Sequence, residues 1–356
     1  MKLNVKSLRF FGGFVCGAAA STASCVAALS IYKEKIFHGK EEVLEPSAGV
    51  VGRYGFPLTG ADIRFYANHT LSYDQARRTP RWVAEHISAE KLYGNADRKR
   101  CKFKPDPNIP VLFTARNEDY LGSGWSRGHM TPAGDNKYSE QAMAETFYLS
   151  NIVPQNFENN SGFWNRLEMY CRDLTKRFQD VWIISGPLVL PAVGADGKKT
   201  ISYEVIGKDD VAVPTHLFKV ILAQRKGFPS ETLALGAFVV PNRPIGFNHP
   251  LTEFQVSLTD LERMSGLNFF PKVDRTRVPL KNLCNLDSCR LMSSKEFSLY
   301  IATRKIGSAG NVFKLDKAMS ELKEAGIAPD EYLLKLYEAK KKEFASKEVP
   351  EYQRGH

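Results

Sequence analysis

The chain has 356 residues, 43% hydrophobic and 25% charged, enough for one large domain with an appendage and incompatible with a disordered or fibrous protein. Its 49 Lys and Arg against 39 Asp and Glu leave a formal charge of +10, which favours polyanionic partners and says nothing of fold. Six cysteines (Cys16, Cys25, Cys101, Cys171, Cys284, Cys289) are too sparse for a disulfide scaffold and offer no zinc spacing, so reduced, mostly buried thiols are expected.

Residues 1–50 read as an address followed by a tether. Lys2, Lys6 and Arg9 precede an uncharged run from Phe10 to Ile31, and the first acidic residue is Glu34. Up to Lys40 there are six basic residues and that one acid, so half of the net charge lies in this segment. At about 1.5 Å per residue the run just spans a hydrocarbon core. A membrane-anchoring helix, a mitochondrial presequence and a secretory signal all fit this pattern, and the scarcity of cysteines weighs against the last.

From Val51 to about Val273 short β-like runs alternate with turn signals. The expected strands are Arg64 to Tyr66, His69 to Tyr73, Arg81 to His86, Thr146 to Asn151, Val181 to Gly186, Val189 to Pro191, Tyr203 to Gly207, His216 to Ala223 and Leu233 to Val240. Helical period appears at Ser139 to Glu145, and again at Ser161 to Gln179, where Phe163, Leu167, Tyr170, Leu174 and Phe178 form one stripe. The pattern predicts an α+β domain over 51–290, built on a mostly antiparallel sheet flanked by helices. Beyond Cys289 the composition turns to Lys, Glu, Ala and Leu. Helices are expected near Ser294 to Arg304, Phe313 to Ala325 and Pro329 to Ala345, a C-terminal helical wing over 291–356. Lys340, Lys341 and Lys342 lie between Glu338 and Glu343 and read as a solvated helix face.

Reactive residue types concentrate between Gly122 and Arg172. In Ser126-Arg127-Gly128-His129 an arginine and a histidine stand two residues apart, and in extended chain both project to one side. The pair suits a phosphodiester: guanidinium orients the phosphate, and imidazole takes a proton from water. Downstream come Asn151-Ile152-Val153-Pro154-Gln155 and a helix carrying Asn160, Glu168 and Arg172. Glu168 and Arg172 fall on the side away from the apolar stripe, where their blandest role is an i,i+4 surface ion pair. Asn160 and Glu168 are too far apart on an α-helix to bind one ion directly, whereas the water shell of a Mg²⁺ ion bridges such a gap. His69, His86, His216 and His249 read as packing or surface residues. Trp164 reads as packing, or as a platform for a base. The Gly122 to Gly128 glycines lack a βαβ context and are no dinucleotide fingerprint.

These elements together resemble the DNA/RNA non-specific endonucleases of the ββα-metal type, whose signature is Asp-Arg-Gly-His, an Asn-x-x-Pro-Gln strand and an Asn-x(7)-Glu-x(3)-Arg helix. The resemblance spans roughly Tyr54 to Pro271. Ser126 replaces the motif's Asp, and with the added helical tail this is similar to the exo/endonuclease G branch. The resemblance implies His129 as general base, Asn160 as the direct protein ligand of Mg²⁺ (Mn²⁺ substituting), Glu168 acting through water, and Asn151 supporting either that water shell or the histidine backbone. It further implies Arg127 and Arg172 on phosphate oxygens, with Arg81 as another phosphate contact and Ser126 shaping the strand end. It implies hydrolysis of DNA, and of RNA, to 5′-phosphate products by a 5′-to-3′ exonuclease with endonuclease activity, favouring single strands and 5′ ends. The setting it implies is a mitochondrial homodimer, associated with the inner membrane or the intermembrane space. Rival expectations are an endonuclease G-type internal nuclease and an inactive, membrane-tethered nucleic-acid binder.

Overall fold

The structure, a computed structural model, describes residues 50–56, 63–225 and 232–348. The basic and apolar stretch expected as an address lies outside the described residues. Among those described, no helix is long and apolar enough to cross a membrane.

In chain order the strands are β1 (Ile63–Phe65), β2 (His69–Asp74), β3 (Thr79–Ile87), the separate pair β4 (Ser126–His129) and β5 (Ile152–Gln155), then β6 (Phe178–Leu188). The short pairs β7 (Ala192–Val193) with β8 (Lys199–Thr200) and β9 (Val205–Ile206) with β10 (Val211–Ala212) follow. The long β11 (His216–Arg225) and β12 (Leu233–Pro241) come next, then β13 (Gln255–Val256) and β14 (Leu280–Asn282). An eight-stranded sheet runs β1-β2-β3-β6-β11-β12-β13 with β14 beside β12; only the β12–β14 pairing is parallel. The helices are α1 (Asn117–Tyr120), α2 (Glu140–Glu145), α3 (Asn165–Leu174), α4 (Leu258–Ser265), α5 (Leu283–Leu286), α6 (Ser294–Gly307), α7 (Val312–Glu324) and α8 (Glu331–Glu348).

The central strands β3, β6 and β11 are covered on both faces, which is why β6 and β11 carry the continuous apolar runs Val181–Ile184 and Val220–Ala223, while β3 buries Glu85 and His86 among its apolar residues. The pleat sends Leu71, Val83, Ile183, Leu217 and Ile221 to one side, where they pack on Leu167, Tyr170 and Leu174 of α3. Trp82, Ala84, Trp182, Ile184, Phe218 and Val220 go to the other side and meet Leu261 of α4 and Phe269. The three C-terminal helices close a smaller core of their own around Ile306, Leu315, Leu322 and Leu333. Their first helix opens with a capping box, Ser293 accepting from the Glu296 amide and the Glu296 carboxylate accepting from the Ser293 amide.

Four expectations are corrected. Thr146 to Asn151 is not a strand but a chain of turns, with Phe147 N donating to Ala144 O, Tyr148 N to Glu145 O and Asn151 N to Tyr148 O; its alternating Phe147 and Leu149 are buried from irregular backbone. Val189 to Pro191 lies past the end of β6. The helix expected to reach Gln179 stops at Leu174, where the Thr175 hydroxyl turns back onto the Arg172 carbonyl, and Phe178 belongs to β6. Cys284 and Cys289 are not reduced: they form a disulfide, brought together by the single turn of α5, while Cys101 and Cys171 are free thiols.

Candidate active site

The pair β4–β5 and the helix after it form a ββα unit standing on the α3 side of the sheet. The pairing runs from Ser126 opposite Gln155 to His129 opposite Ile152. Arg127 and His129 both line a cleft of about 680 Å³, as extended chain requires of residues two apart. Gly128 between them is dictated by Gln155: a Cβ there would come within 2.1 Å of Gln155 Oε1, and Gln155 is itself held by Nε2 donating to Asn159 Oδ1 at 2.8 Å.

Asn160 lies in a π-helical turn, Asn159–Trp164, which continues into α3 and brings Asn160, Glu168 and Arg172 to the same cleft. Its Nδ2 donates to Ser126 Oγ at 3.0 Å, and Ser126 Oγ donates to the Gln155 carbonyl at 2.7 Å. The serine that replaces the motif's Asp thus clamps the asparagine amide, and Asn160 Oδ1 has no protein partner among the described residues.

The His129 ring is half-buried between Phe147 (centroids 4.9 Å) and Phe103 (5.2 Å), and its Nε2 is buried without a hydrogen-bond partner among the described residues. Burial, aided by the charge of Arg98, pushes the imidazole down to about 3, so the ring is neutral at physiological pH and holds a lone pair for a proton. A bound phosphodiester anion opposes both effects and raises the ring's proton affinity in the complex. Arg127 lies over Phe103, 4.7 Å from its centroid, and donates to Asn117 Oδ1 at 2.6 Å.

Arg172 does not pair with Glu168. Its Nη1 donates to the buried Asp135 Oδ1 at 2.7 Å. Burial works against the guanidinium charge, but Asp135 and Glu168 outweigh it and hold the proton more firmly than usual. Glu168 makes no hydrogen bond or ion pair to protein among the described residues, and burial pushes its carboxyl up to about 7 despite Arg172 and Lys219. The native state therefore binds more protons than the unfolded chain, whose glutamates titrate at about 4.3, and loses stability as pH rises through that window. In EDTA-treated protein, Glu168→Gln is expected to melt about 2–4 °C above the native chain at pH 8 and level with it at pH 4. A melting difference that ignores pH contradicts this environment for Glu168.

The donor set fits a hard divalent cation. An unpartnered amide oxygen and an unpaired carboxylate line one cleft, with room for water. Among the described residues no group of three His, Cys, Asp or Glu could hold a metal, so such an ion keeps most of its waters.

Three expected site residues lie elsewhere. Trp164 is fully buried, its Nε1 donating to the His129 carbonyl at 3.3 Å, so its face is closed to a base. Asn151 is fully buried and committed to backbone: Oδ1 accepts from Thr131 N, and Nδ2 donates to the Thr131 and Thr146 carbonyls. It braces the chain after His129, one of the two roles expected of it, and being fully buried it presents no surface to a metal's water shell. Arg81 is exposed on β3, 3.8 Å from Asp74 and away from the cleft.

Four residues escaped the sequence reading. Arg98, Lys137 and, from α6, Arg304 line the cleft, and Asp135 positions Arg172. The run Arg98-Lys99-Arg100 with Lys102 and Lys104 was a visible basic signal; Arg304 had none.

The family model described as DNA/RNA non-specific endonuclease matches residues 47–276, and that of the endo/exonuclease (EXOG) C-terminal domain matches residues 292–341. The chain is 64% identical to mitochondrial nuclease EXOG of Xenopus laevis over 96% of this chain and 94% of that one. It is 59% identical to the Homo sapiens protein of the same name, over 96% and 94%. A solved chain of the EndoG/EndoGI complex superposes with a TM-score of 0.63 at 40% identity, covering 67% of this chain and 98% of that one. With signature, cleft and comparisons in agreement, the chain belongs to the DNA/RNA non-specific endonuclease family and is a hydrolase of nucleic-acid phosphodiester bonds.

Proposed function

We propose that the chain is a Mg²⁺-dependent 5′-to-3′ exonuclease with endonuclease activity, acting on DNA and also on RNA and leaving 5′-phosphate ends. The observation that carries this reading is one cleft lined by His129, Asn160, Glu168, Arg127 and Arg172 together. Arg172, anchored by Asp135, and Arg127, anchored by Asn117, grip phosphate oxygens in fixed orientation. Neutral His129 takes the proton of the attacking water. Asn160 Oδ1 would hold the divalent ion directly, and Glu168 would orient its water shell. When bound, the ion supplies positive charge that stabilises the crowded phosphate and the departing 3′ oxygen. Mn²⁺ has the same hard-donor preference and would substitute.

The preference for ends is assigned to the C-terminal helices. Arg304 of α6 forms part of the cleft wall, so a strand passing straight through meets this helix. Deleting residues 292–356 is expected to raise cleavage of circular single-stranded DNA relative to linear by roughly tenfold, about 1.4 kcal/mol of discrimination. Arg304→Ala is expected to shift it in the same direction. An unchanged ratio in both would favour the endonuclease G-type internal reading. The basic, apolar residues 1–50 and the mitochondrial names of the relatives support a mitochondrial setting with inner-membrane or intermembrane-space association. A homodimer is part of the same reading, and sedimentation of the purified chain tests it.

A further inference from the structure

Lys219 sits in mid-strand on β11 and is 1% exposed. The pleat places it with Leu217 and Ile221 on the sheet face that packs against α3, directly beneath the hydrolytic site. A buried ammonium is costly unless it is paired, yet its hydrogen bond goes to a neutral group, Ser185 Oγ on β6 at 2.6 Å. Buried Glu85 lies on the same face, but no ion pair joins the two, and Glu85 Oε2 has no partner among the described residues. The lysine's charge does act on the buried carboxyls of Glu85, Asp135 and Glu168, but it forms no ion pair with any of them among the described residues, so its direct contacts are Ser185 and the aromatic ring beside it.

What Lys219 does meet is Trp164. Its Nζ lies 4.7 Å from the centre of the indole. That indole is fully enclosed, and its Nε1 donates to the carbonyl of His129. A cation against an aromatic face is held most strongly where both are stripped of water, and it draws electron density from the ring, which sharpens the N–H as a donor. Ser185, Lys219, Trp164 and the His129 backbone thus form a continuous chain from the middle of the sheet to the reacting ring.

We propose that Lys219 is a positioning residue of this nuclease: through Trp164 it fixes the backbone that carries His129, and so the placement of the imidazole against water and phosphate. The proposal rests on His129 being the base. Misplacing a reacting group by about 1 Å costs on the order of 100-fold in rate.

The test uses the full chain with Mg²⁺ and end-labelled linear DNA. Lys219→Met keeps the bulk and removes the charge; kcat is expected to fall about 10–100-fold with KM within threefold and the melting temperature equal or higher. Trp164→Phe, which keeps the ring packing but loses the N–H, is expected to do the same. Because both changes break one chain, the double variant should be no slower than the slower single. A folded Lys219→Met with wild-type kcat, or losses that multiply in the double variant, overturns the proposal. Should Lys219→Met fail to fold, Trp164→Phe decides alone: an unchanged kcat overturns, and a loss of tenfold or more at unchanged KM and melting temperature supports. If His129→Ala itself proves fully active, the reading of the base fails first, and the two failures are told apart.

Discussion

His129→Ala is expected to lower kcat on DNA by about 10²–10⁴-fold while leaving DNA binding and melting temperature near those of the native chain. The ring contributes two things to the protein: a lone pair kept free of a proton, and packing between Phe103 and Phe147. Truncating it removes the first outright and only thins the second, since the ring is half-buried at the cleft and its Nε2 satisfies no protein group. The acid limb of the pH–rate profile, moreover, should not report the unperturbed histidine range, because burial and Arg98 keep the free ring neutral there. Steady-state kinetics with a filter-binding measurement on the same variant check both parts. Activity within tenfold of native would remove His129 from the chemistry.

Asn160→Ala is expected to be nearly as damaging, with a different signature. Asn160 Oδ1 is the unpartnered amide oxygen in the cleft, so its loss should abolish detectable Mg²⁺-dependent turnover or move half-maximal activity to much higher Mg²⁺. Ser126→Ala separates orientation from ligation. It leaves Asn160 in place but removes the acceptor for Nδ2, and an outer partner of this kind is worth about 10–100-fold in metal affinity or activity. High Mg²⁺ should restore much of Ser126→Ala and little of Asn160→Ala. A Mg²⁺ titration of each variant reads the difference, and coincident titration curves would contradict the roles given to the two residues.

Much of this architecture was legible because local pattern and tertiary demand agree. β11 and β12 carry strong apolar runs, and the C-terminal helices a Lys, Glu, Ala and Leu composition with capping residues at the first two; all lie within a few residues of the expected bounds. Thr146 to Asn151 misled because buried alternation looks the same in a strand and in a chain of turns when side-chain hydrogen bonds, here those of Asn151, satisfy the backbone. The overrun of α3 has a similar origin: Phe178 continues the 3.6 period by coincidence and serves β6.

At the site, the motif gave residues two apart on a strand and one helix face, and both reach the cleft. Four features of the site leave no trace in the local pattern. Arg172 pairs with Asp135, 37 positions away, and not with the i,i+4 neighbour that helix geometry suggested. A π turn at Asn159–Trp164 changes the rise and facing of Asn160 relative to Glu168, and no apolar period encodes it. Arg304 arrives from a helix with a core of its own, and Lys219 is a buried charge in the centre of an otherwise apolar strand.

The central claim is that hydrolysis occurs at one cation held by the Asn160 amide beside a neutral His129. The most direct measurement is anomalous diffraction from crystals of His129→Ala soaked with Mn²⁺ and a short DNA. The account predicts one strong peak at bonding distance from Asn160 Oδ1, with Glu168 reaching it through water and a phosphate oxygen beside it. A fully occupied peak elsewhere, with the Asn160 amide facing only Ser126, would contradict it.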